Sequence, residues 1–175
     1  MKIIYLDTRH LPEVVKLEKQ AFGKNGLTEE SLHSFINAFY QGCFVAVEGD
    51  VVLGYITSER HRKMSPIMYN HNAVATHEPD GSYLYISGIA VDKRHRGKGI
   101  GTKLVEKIKE TALETGCYSV YIILDANHPY GKRVFNFWRK NGFTEKQRLE
   151  WAFQKNIYVE GILFECNLFK HYKSK

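Results

Sequence analysis

Residues 83–124 constrain the fold more than any other part of this sequence. Tyr83–Val91 is an apolar run typical of a buried strand, and glycines at positions 97, 99 and 101 follow it. Apolar residues then recur at the spacing of one helix face, and Gly116 ends this pattern before a second apolar run at 118–124. A strand, a glycine loop, a helix and a strand in this order predict a βαβ unit with two parallel strands. The same spacing predicts that three lysines lie on the outer side of the helix: Lys103, Lys107 and Lys109.

The other segments extend this unit into a mixed α/β order. Alternating or β-branched runs predict further strands at 2–6, 44–47, 51–56, 144–153 and 158–168. Helical spacing predicts helices near 11–22, 28–39 and 134–140. Residues 59–82 lose both patterns, because they contain two prolines and an Asp-Gly pair. Such a long irregular segment in a compact domain is often functional, or else it contains a strand that the pattern does not reveal.

The length and composition of the chain fit one domain. A chain of 175 residues is long enough for one hydrophobic core and short for two, so we predict a single domain at 1–169 and a C-terminal tail at 170–175. No apolar run approaches the roughly 20 residues that a membrane span needs. The N-terminus lacks the pattern of a signal peptide, so a cytoplasmic location is expected. Three scattered cysteines predict buried, reduced thiols rather than disulfides or a zinc site.

The glycine loop has the physical features of a phosphate site. Glycine lets the backbone turn tightly and approach a ligand, because no Cβ obstructs it. The loop also precedes the first turn of a helix, whose free amides and positive dipole end attract anions. Arg96 and Lys98 add charge at the same place, and the net charge of +6 favours an anionic partner as well. Together these features predict a diphosphate ligand.

The spacing of the glycines excludes two nucleotide motifs. A P-loop ends in Gly-Lys-Ser/Thr, whereas this loop continues as Gly101-Thr102-Lys103. A Rossmann fingerprint needs Gly-x-Gly-x-x-Gly, whereas these glycines are spaced as Gly-x-Gly-x-Gly. Residues 96–101, Arg-Gly-Lys-Gly-Ile-Gly, instead match the signature Arg/Gln-x-x-Gly-x-Gly/Ala. On this signature, and on the Ile-Ala-Val-Asp run at 89–92 and the Gly-Phe pair at 142–143, the chain resembles the GNAT superfamily of N-acetyltransferases over residues 1–169.

The resemblance implies a fold, an acyl donor and a set of binding residues. The fold is the α/β fold of acyl-CoA N-acyltransferases, a central mixed sheet of six or seven strands with about four helices, and the donor is acetyl-CoA. The strand Tyr83–Val91 would splay from its neighbour at 118–124, and the pantetheine arm would fill the gap and pair with its backbone. The implied cofactor-binding residues are Ile89, Ala90, Val91, Arg96, Gly97, Lys98, Gly99, Ile100, Gly101, Thr102 and Asn127. Asn127 would bond the pantetheine, although counting back from Gly142 puts that role at Gly131.

The catalytic residues depart from the family pattern. Many members protonate the leaving thiolate with a tyrosine at the position of Trp138, whose indole cannot serve as an acid. Tyr130 is a substitute acid, although an alkyl thiol with a pKa of about 8.5 can leave without much help. The strand Tyr83–Val91 contains no Glu or His to act as a base. Glu78, just before this strand, is therefore the candidate base, and further candidates are Asp80, His71 and His77.

The resemblance implies an amine acceptor, either a small molecule or a protein, that attacks the thioester directly in a ternary complex. Aromatic residues of the second helix, of 59–82 and of the last strands suit an apolar or aryl amine, or else belong to the core: Phe35, Phe39, Tyr69, Trp151, Phe153 and Tyr158. A homodimer is left open, and neither a metal nor a membrane partner is expected. Two alternatives stay open: a degenerate sensor that only binds acetyl-CoA, and a basic nucleic-acid-binding module.

Overall fold

Seven strands form one mixed sheet. They are β1 (Lys2–Tyr5), β2 (Phe44–Glu48), β3 (Val51–His61), β4 (Tyr83–Val91), β5 (Ser119–Asp125), β6 (Thr144–Gln154) and β7 (Ile157–Asn167). The computed structural model describes residues 1–169, in which the strand order is β1-β2-β3-β4-β5-β7-β6. The pair β4 and β5 is parallel, and the other neighbours pair antiparallel. The predicted mixed sheet of six or seven strands is confirmed.

The helices are α1 (Leu11–Phe22), α2 (Glu29–Phe39), α3 (Ala73–Thr76), α4 (Ile100–Glu114) and α5 (Gly131–Lys140). The short α3 lies in the irregular segment, so this segment contains one helical turn rather than a further strand. Within residues 1–169, no helix combines the length and the apolar character that crossing a membrane requires. The tail expected at 170–175 lies outside the described residues. The three cysteines are free and buried, as predicted.

Helices cover both faces of the sheet. Residues of α4 and α5 pack on one face, here called the α4 face, in a core that includes Leu104, Ile108 and Trp138. Residues of α1 and α2 pack on the opposite face, here called the α1 face, in a core that includes Val14 and Phe35. On each face the apolar stripe of an amphipathic helix removes the apolar side of the strands from water.

Lys109 is buried, so its predicted place on the outer side of α4 is wrong. Its side chain is 1% exposed, and Nζ donates to the carbonyl oxygen of Asn141 at 2.5 Å. Asn141 follows the last turn of α5, where carbonyl groups lack partners within the helix. A cation at that position also interacts favourably with the negative end of the helix dipole. Lys109 therefore fixes the C-terminal end of α5 against α4.

Residues 62–72, here called the strap, cross the α1 face from the end of β3 to the edge strand β6. Trp151 Nε1 donates to the carbonyl of Ile67 at 2.7 Å, and Tyr69 N donates to the carbonyl of Phe153 at 3.0 Å. Near the N-terminus of α2, Thr28 N donates to Asn70 Oδ1 at 2.9 Å. The strap thus joins β6 and α2 across the sheet, and its hydrogen bonds compensate for its lack of regular structure.

Candidate active site

Strands β4 and β5 enclose a gap. They pair from Tyr83↔Ser119 to Tyr85↔Tyr121 and then separate, while each keeps its other neighbour along its whole length. The register between β3 and β4 skips Ser87, and this bulge lies where the two strands part. The splay that the resemblance implied is therefore present. We call the end at Tyr85 the vertex of the gap and the end at Val91 its open end.

The edge of β4 presents peptide groups to this gap. Asp92 N donates to the carbonyl of Leu53 on β3 at 2.8 Å. Because hydrogen-bonded and non-hydrogen-bonded residues alternate along antiparallel strands, Val91 and Ile89 direct their N–H and C=O groups away from β3. Ala90, by the same alternation, directs its own groups toward β3. The Val91 carbonyl accepts a hydrogen bond from Arg96 Nε at 3.0 Å.

The glycine loop opens α4 at the open end of the gap. Gly97 and Gly99 both have φ of +79°, a left-handed conformation that favours glycine. Gly99 immediately precedes α4, no side chain of the described residues caps it, and the first turn of the helix contains no acidic residue. The first amides of a helix have no partner within it, and Lys103 N bonds back to the carbonyl of Gly99 at 3.0 Å. Free amides and the positive end of the helix dipole are therefore available to an anion.

Asp92 neutralises part of the basic charge beside this loop. Arg94 Nη2 donates to Asp92 Oδ2 at 2.7 Å, and Arg94 N donates to Oδ1 at 2.8 Å. These hydrogen bonds hold the pKa of Asp92 well below its usual range. Lys98 and Lys103 line a shallow pocket of about 250 Å³ next to the loop. Arg94 is therefore paired with Asp92, and the charge available to an anion at the loop is that of Arg96, Lys98 and Lys103.

Two further predicted site residues follow β5, beyond the open end of the gap. Asn127 is exposed, and its backbone N donates to Asp125 Oδ1 at 2.8 Å. Tyr130 immediately precedes α5 and is 62% exposed. Trp138, at the position of the usual tyrosine, is 2% exposed and packs against the rings of Phe137 and Phe143. The roles of Asn127 and Tyr130 stay predictions.

Glu78 lies at the other end of β4 from the glycine loop. Its carboxylate accepts hydrogen bonds from Arg62 N at 2.6 Å and from Arg62 Nη1 at 2.9 Å. Asp80 forms a second ion pair with Arg62, at 2.8 Å. The structure thus brings the β4 edge, the glycine loop, Asn127 and Tyr130 to the open end of the gap. Glu78 lies at the opposite end. The role of Glu78 as a base stays a prediction.

The sequence of this chain matches that of a known protein family. The sequence model of the acetyltransferase (GNAT) family matches residues 11–143, which is most of the chain. The chain belongs to this family. The matched range runs from the start of α1 to the residue before β6, and it contains the gap and the glycine loop.

Curated relatives and solved structures agree with the family. Thialysine N-epsilon-acetyltransferase of Bos taurus is 35% identical over 71 residues, which are 40% of this chain and 39% of that protein. N-alpha-acetyltransferase 30 of Xenopus laevis is 29% identical over 117 residues, which are 66% of this chain and 36% of that protein. The structure of the GNAT-like decarboxylase GphF in complex with isobutyryl-CoA has a TM-score of 0.81 at 16% identity, over 96% of this chain and 100% of that one. This last likeness concerns the fold alone.

The matches to the first curated relatives span only 33% to 39% of the lengths of those proteins. The family and the names of these relatives nevertheless favour a GNAT acetyltransferase over the two alternatives, the degenerate sensor and the nucleic-acid-binding module. Among residues 1–169, no group of three or more His, Cys, Asp or Glu side chains could hold a metal ion.

Glu18 on α1 is a buried carboxylate that the sequence did not single out. Its Oε1 accepts a hydrogen bond from the Tyr55 hydroxyl. Its Oε2 accepts hydrogen bonds from Leu27 N at 2.6 Å and from the Tyr69 hydroxyl at 3.1 Å. Burial raises the pKa of Glu18, and these hydrogen bonds offset only part of the rise. The available signal was an acidic residue next to Leu17 on the apolar side of an amphipathic helix.

Glu59 on β3 is a second buried carboxylate that the sequence did not single out. His71 Nε2 lies 2.5 Å from Oε1, and the Thr76 hydroxyl donates to Oε2 at 2.7 Å. His71 Nδ1 lies 2.7 Å from the carbonyl of Met68, so both ring nitrogens face oxygen acceptors. Burial tends to raise the pKa of Glu59, but His71, which bonds Oε1, and His61, whose Nε2 lies 3.4 Å from the same oxygen, outweigh it and lower the pKa to about 2. This cluster holds the strap and α3 against β3.

The aromatic residues expected around the acceptor divide into two groups. Phe35, Phe39 and Trp151 are buried core residues. Tyr69 and Phe153 stack at the edge of the α1 face with their ring centroids 5.2 Å apart, and both are partly exposed. Tyr69 and Phe153 therefore form a partly exposed aromatic pair on this face, and Tyr158 is exposed on the β6–β7 hairpin.

Proposed function

We propose that this chain transfers the acetyl group of acetyl-CoA to a primary amine by direct attack within a ternary complex. The observation that carries the proposal is the gap between β4 and β5, whose open end meets a glycine loop at an uncapped helix N-terminus. The amides and basic side chains at 96–102 would hold the pyrophosphate, and the pantetheine arm would lie in the gap. The acyl-CoA named for the structural relative supports a donor of this class.

The proposed reaction needs little help from the protein to release the leaving thiolate. An amine attacks the thioester when it is neutral, and the developing oxyanion needs hydrogen-bond donors. The N–H groups of Ile89 and Val91 face the gap; we assign that of Val91 to the arm and that of Ile89, nearer the vertex, to this oxyanion. The thiolate that leaves has a pKa of about 8.5, so buried Trp138 in place of a tyrosine does not prevent the transfer. Tyr130 and Glu78 remain the candidate acid and base from the sequence.

The acceptor is proposed to be an amine on a small molecule or on a protein, which approaches from the α1 face. The names of the curated relatives, which describe N-epsilon-acetylation of thialysine and N-alpha-acetylation, support an amine acceptor. A cytoplasmic location and a homodimer stay predictions from the sequence.

Calorimetric titration with acetyl-CoA, followed by thiol release in the presence of a panel of amines, tests the proposal. Gly99→Glu puts a charged side chain into the loop at φ +79° and is expected to abolish acetyl-CoA binding. Gly116→Glu is the matched control, because Gly116 follows the other end of α4, has φ of +80°, and likewise has nothing within 4 Å of an added Cβ. The control is expected to bind as the unaltered chain does.

The possible results separate the alternatives. Absence of acetyl-CoA binding by the unaltered chain would overturn the proposal. Binding without turnover of any amine would favour the sensor. Tight, salt-sensitive binding of nucleic acid in place of acetyl-CoA would favour the nucleic-acid-binding module.

A further inference from the structure

In the proposed complex the thioester of the donor lies toward the vertex of the gap. The pyrophosphate would occupy the open end, and the arm would run from there along the separated part of β4, residues 86–91, which spans about 20 Å at about 3.3 Å per residue. An arm that bonds Val91 and Ile89 and continues along β4 brings its acyl end to the region of Ser87 and Gly88, next to the bulge.

The Tyr55 hydroxyl lies at this part of β4, on the α1 face. A Cβ built on Gly88 would stand only 2.8 Å from the Tyr55 hydroxyl oxygen and 2.7 Å from Leu27 Cδ1. Gly88 has no side chain, and this allows the hydroxyl to approach the backbone so closely. Tyr55 is thus the ionisable side chain that packs against the backbone of the separated strand where the thioester is expected.

The Glu18 carboxylate lies next to this hydroxyl. Tyr55 donates to Glu18 Oε1, and both side chains are fully buried. Tyr69, on the strap, donates to Glu18 Oε2 at 3.1 Å and is partly exposed. A chain of hydrogen bonds therefore leads from the vertex through Tyr55 and Glu18 to Tyr69 and the surface.

Glu18 is better suited to accept a proton than the other buried carboxylate. The neighbouring His61 and His71 side chains lower the pKa of Glu59 to about 2, so Glu59 binds a proton weakly. Burial raises the pKa of Glu18, which brings it closer to the pH at which a general base is effective. Burial and the neighbouring Glu18 also raise the pKa of Tyr55, so its hydroxyl stays protonated and can relay a proton.

We propose that the Tyr55 hydroxyl and Glu18 take up the proton that the acceptor amine loses. This inference rests on the proposed function. As the amine nitrogen forms its bond to the acetyl carbon, the C–S bond breaks and CoA leaves as the thiolate. The amine proton passes to the Tyr55 oxygen, and the proton of Tyr55 passes to Glu18 Oε1. Tyr55 is then a catalytic residue. Glu18, whose Oε2 keeps the hydrogen bond from Tyr69, is a positioning residue that holds the proton until Tyr55 returns it to solvent in the vacated gap.

The pH dependence of kcat tests this inference, because a purely structural contact would not change it. The groups that face Glu18 are the hydroxyls of Tyr55 from β3 and Tyr69 from the strap and the backbone N–H of Leu27, and burial raises the pKa of both tyrosines well above 10. In the unaltered chain kcat is expected to fall as pH falls and Glu18 becomes protonated. Glu18→Gln is expected to lower kcat by about 10² to 10⁴-fold and to remove this acidic limb.

Two further variants keep the test decisive. Tyr55→Phe retains the ring and is expected to lower kcat by a similar factor, while its acetyl-CoA affinity stays within about threefold of that of the unaltered chain. This variant tests the inference if Glu18→Gln does not fold. Glu13→Gln is the matched control, because Glu13 lies on the same helix and pairs with Lys16 at 2.6 Å on the surface. It is expected to keep the kcat and the pH profile of the unaltered chain.

The outcomes distinguish this inference from the proposed function. If the unaltered chain turns over an amine and both Glu18→Gln and Tyr55→Phe keep its kcat and its acidic limb, the relay is wrong and the proposed function stands. If the unaltered chain binds acetyl-CoA but turns over no amine of the panel, the proposed function fails and this inference fails with it.

Discussion

Replacing Glu59 with Gln tests the buried cluster beneath the strap. The Glu59 side chain is fully buried, and its carboxylate holds His71 Nε2 at 2.5 Å and the Thr76 hydroxyl at 2.7 Å. The folded protein lowers the pKa of Glu59 from the ordinary 4.5 to about 2. At about 1.4 kcal/mol per pH unit, this difference corresponds to about 3 kcal/mol of stability. Because the folded-state pKa is lowered, this stability is present above pH 4.5 and is lost as pH falls toward 2.

Thermal unfolding of the unaltered chain and of Glu59→Gln, followed by circular dichroism at pH 5 and pH 3, measures this contribution. At pH 5 the variant is expected to be less stable by about 3 kcal/mol, which lowers Tm by about 6 to 12 °C in a domain of this size. At pH 3 the difference is expected to shrink to about 1 kcal/mol. Glu13→Gln, on the surface, should change Tm little at either pH. A difference that is equally large at both pH values would refute the reasoning.

Three other substitutions test the packing around the site. Lys109→Met should cost about 1 to 3 kcal/mol in urea unfolding, since the Asn141 carbonyl loses a charged donor, and unchanged stability would contradict this role. Gly88→Ala should destabilise the protein by about 1 to 3 kcal/mol, because the new methyl group meets the Tyr55 hydroxyl. A variant as stable as the unaltered chain would show that this hydroxyl does not pack tightly against residue 88. Trp138→Tyr should lower stability without raising the rate of thiol release, because residue 138 faces the core, and a clear gain in rate would show that it reaches the donor.

The fold and the glycine loop could be predicted because their signals are local. Glycines at 97, 99 and 101 stand between an apolar strand and an amphipathic helix, so the loop, the helix start and the parallel strands follow from neighbouring residues. The splay of β4 from β5 was implied by the resemblance, since nothing in either strand alone indicates where their pairing ends. In the structure the bulge at Ser87 lies where the strands part, and the apolar pattern does not reveal this bulge.

Two errors have a common cause in long-range contacts. Helical spacing put Lys109 on the outer side of α4, but the end of α5 packs over that position and supplies the Asn141 carbonyl. The predicted end of the third strand was residue 56, whereas β3 continues to His61. Its last residues are polar because Glu59 faces His71, which is twelve positions away in the sequence. Periodicity describes an element by itself and cannot anticipate what packs over its flanks.

The buried carboxylates were missed for the same reason. Glu18 and its two tyrosine partners lie 37 and 51 positions apart in the sequence. No short motif connects them, and only the folded sheet and the strap bring them together. Tyr130 and Glu78, by contrast, are candidates in the sequence because they lie close to recognisable motifs along the chain.

A crystal structure of the chain with acetyl-CoA tests directly whether the gap between β4 and β5 holds this donor. We expect the pyrophosphate to lie on the amides at 99–102 and the arm to bond the backbone of Ile89 and Val91. We also expect the sulfur to lie next to Gly88, within reach of the Tyr55 hydroxyl. A cofactor bound elsewhere, or an arm that leaves the edge of β4 unpaired, would show that the gap is not the acetyl-CoA site.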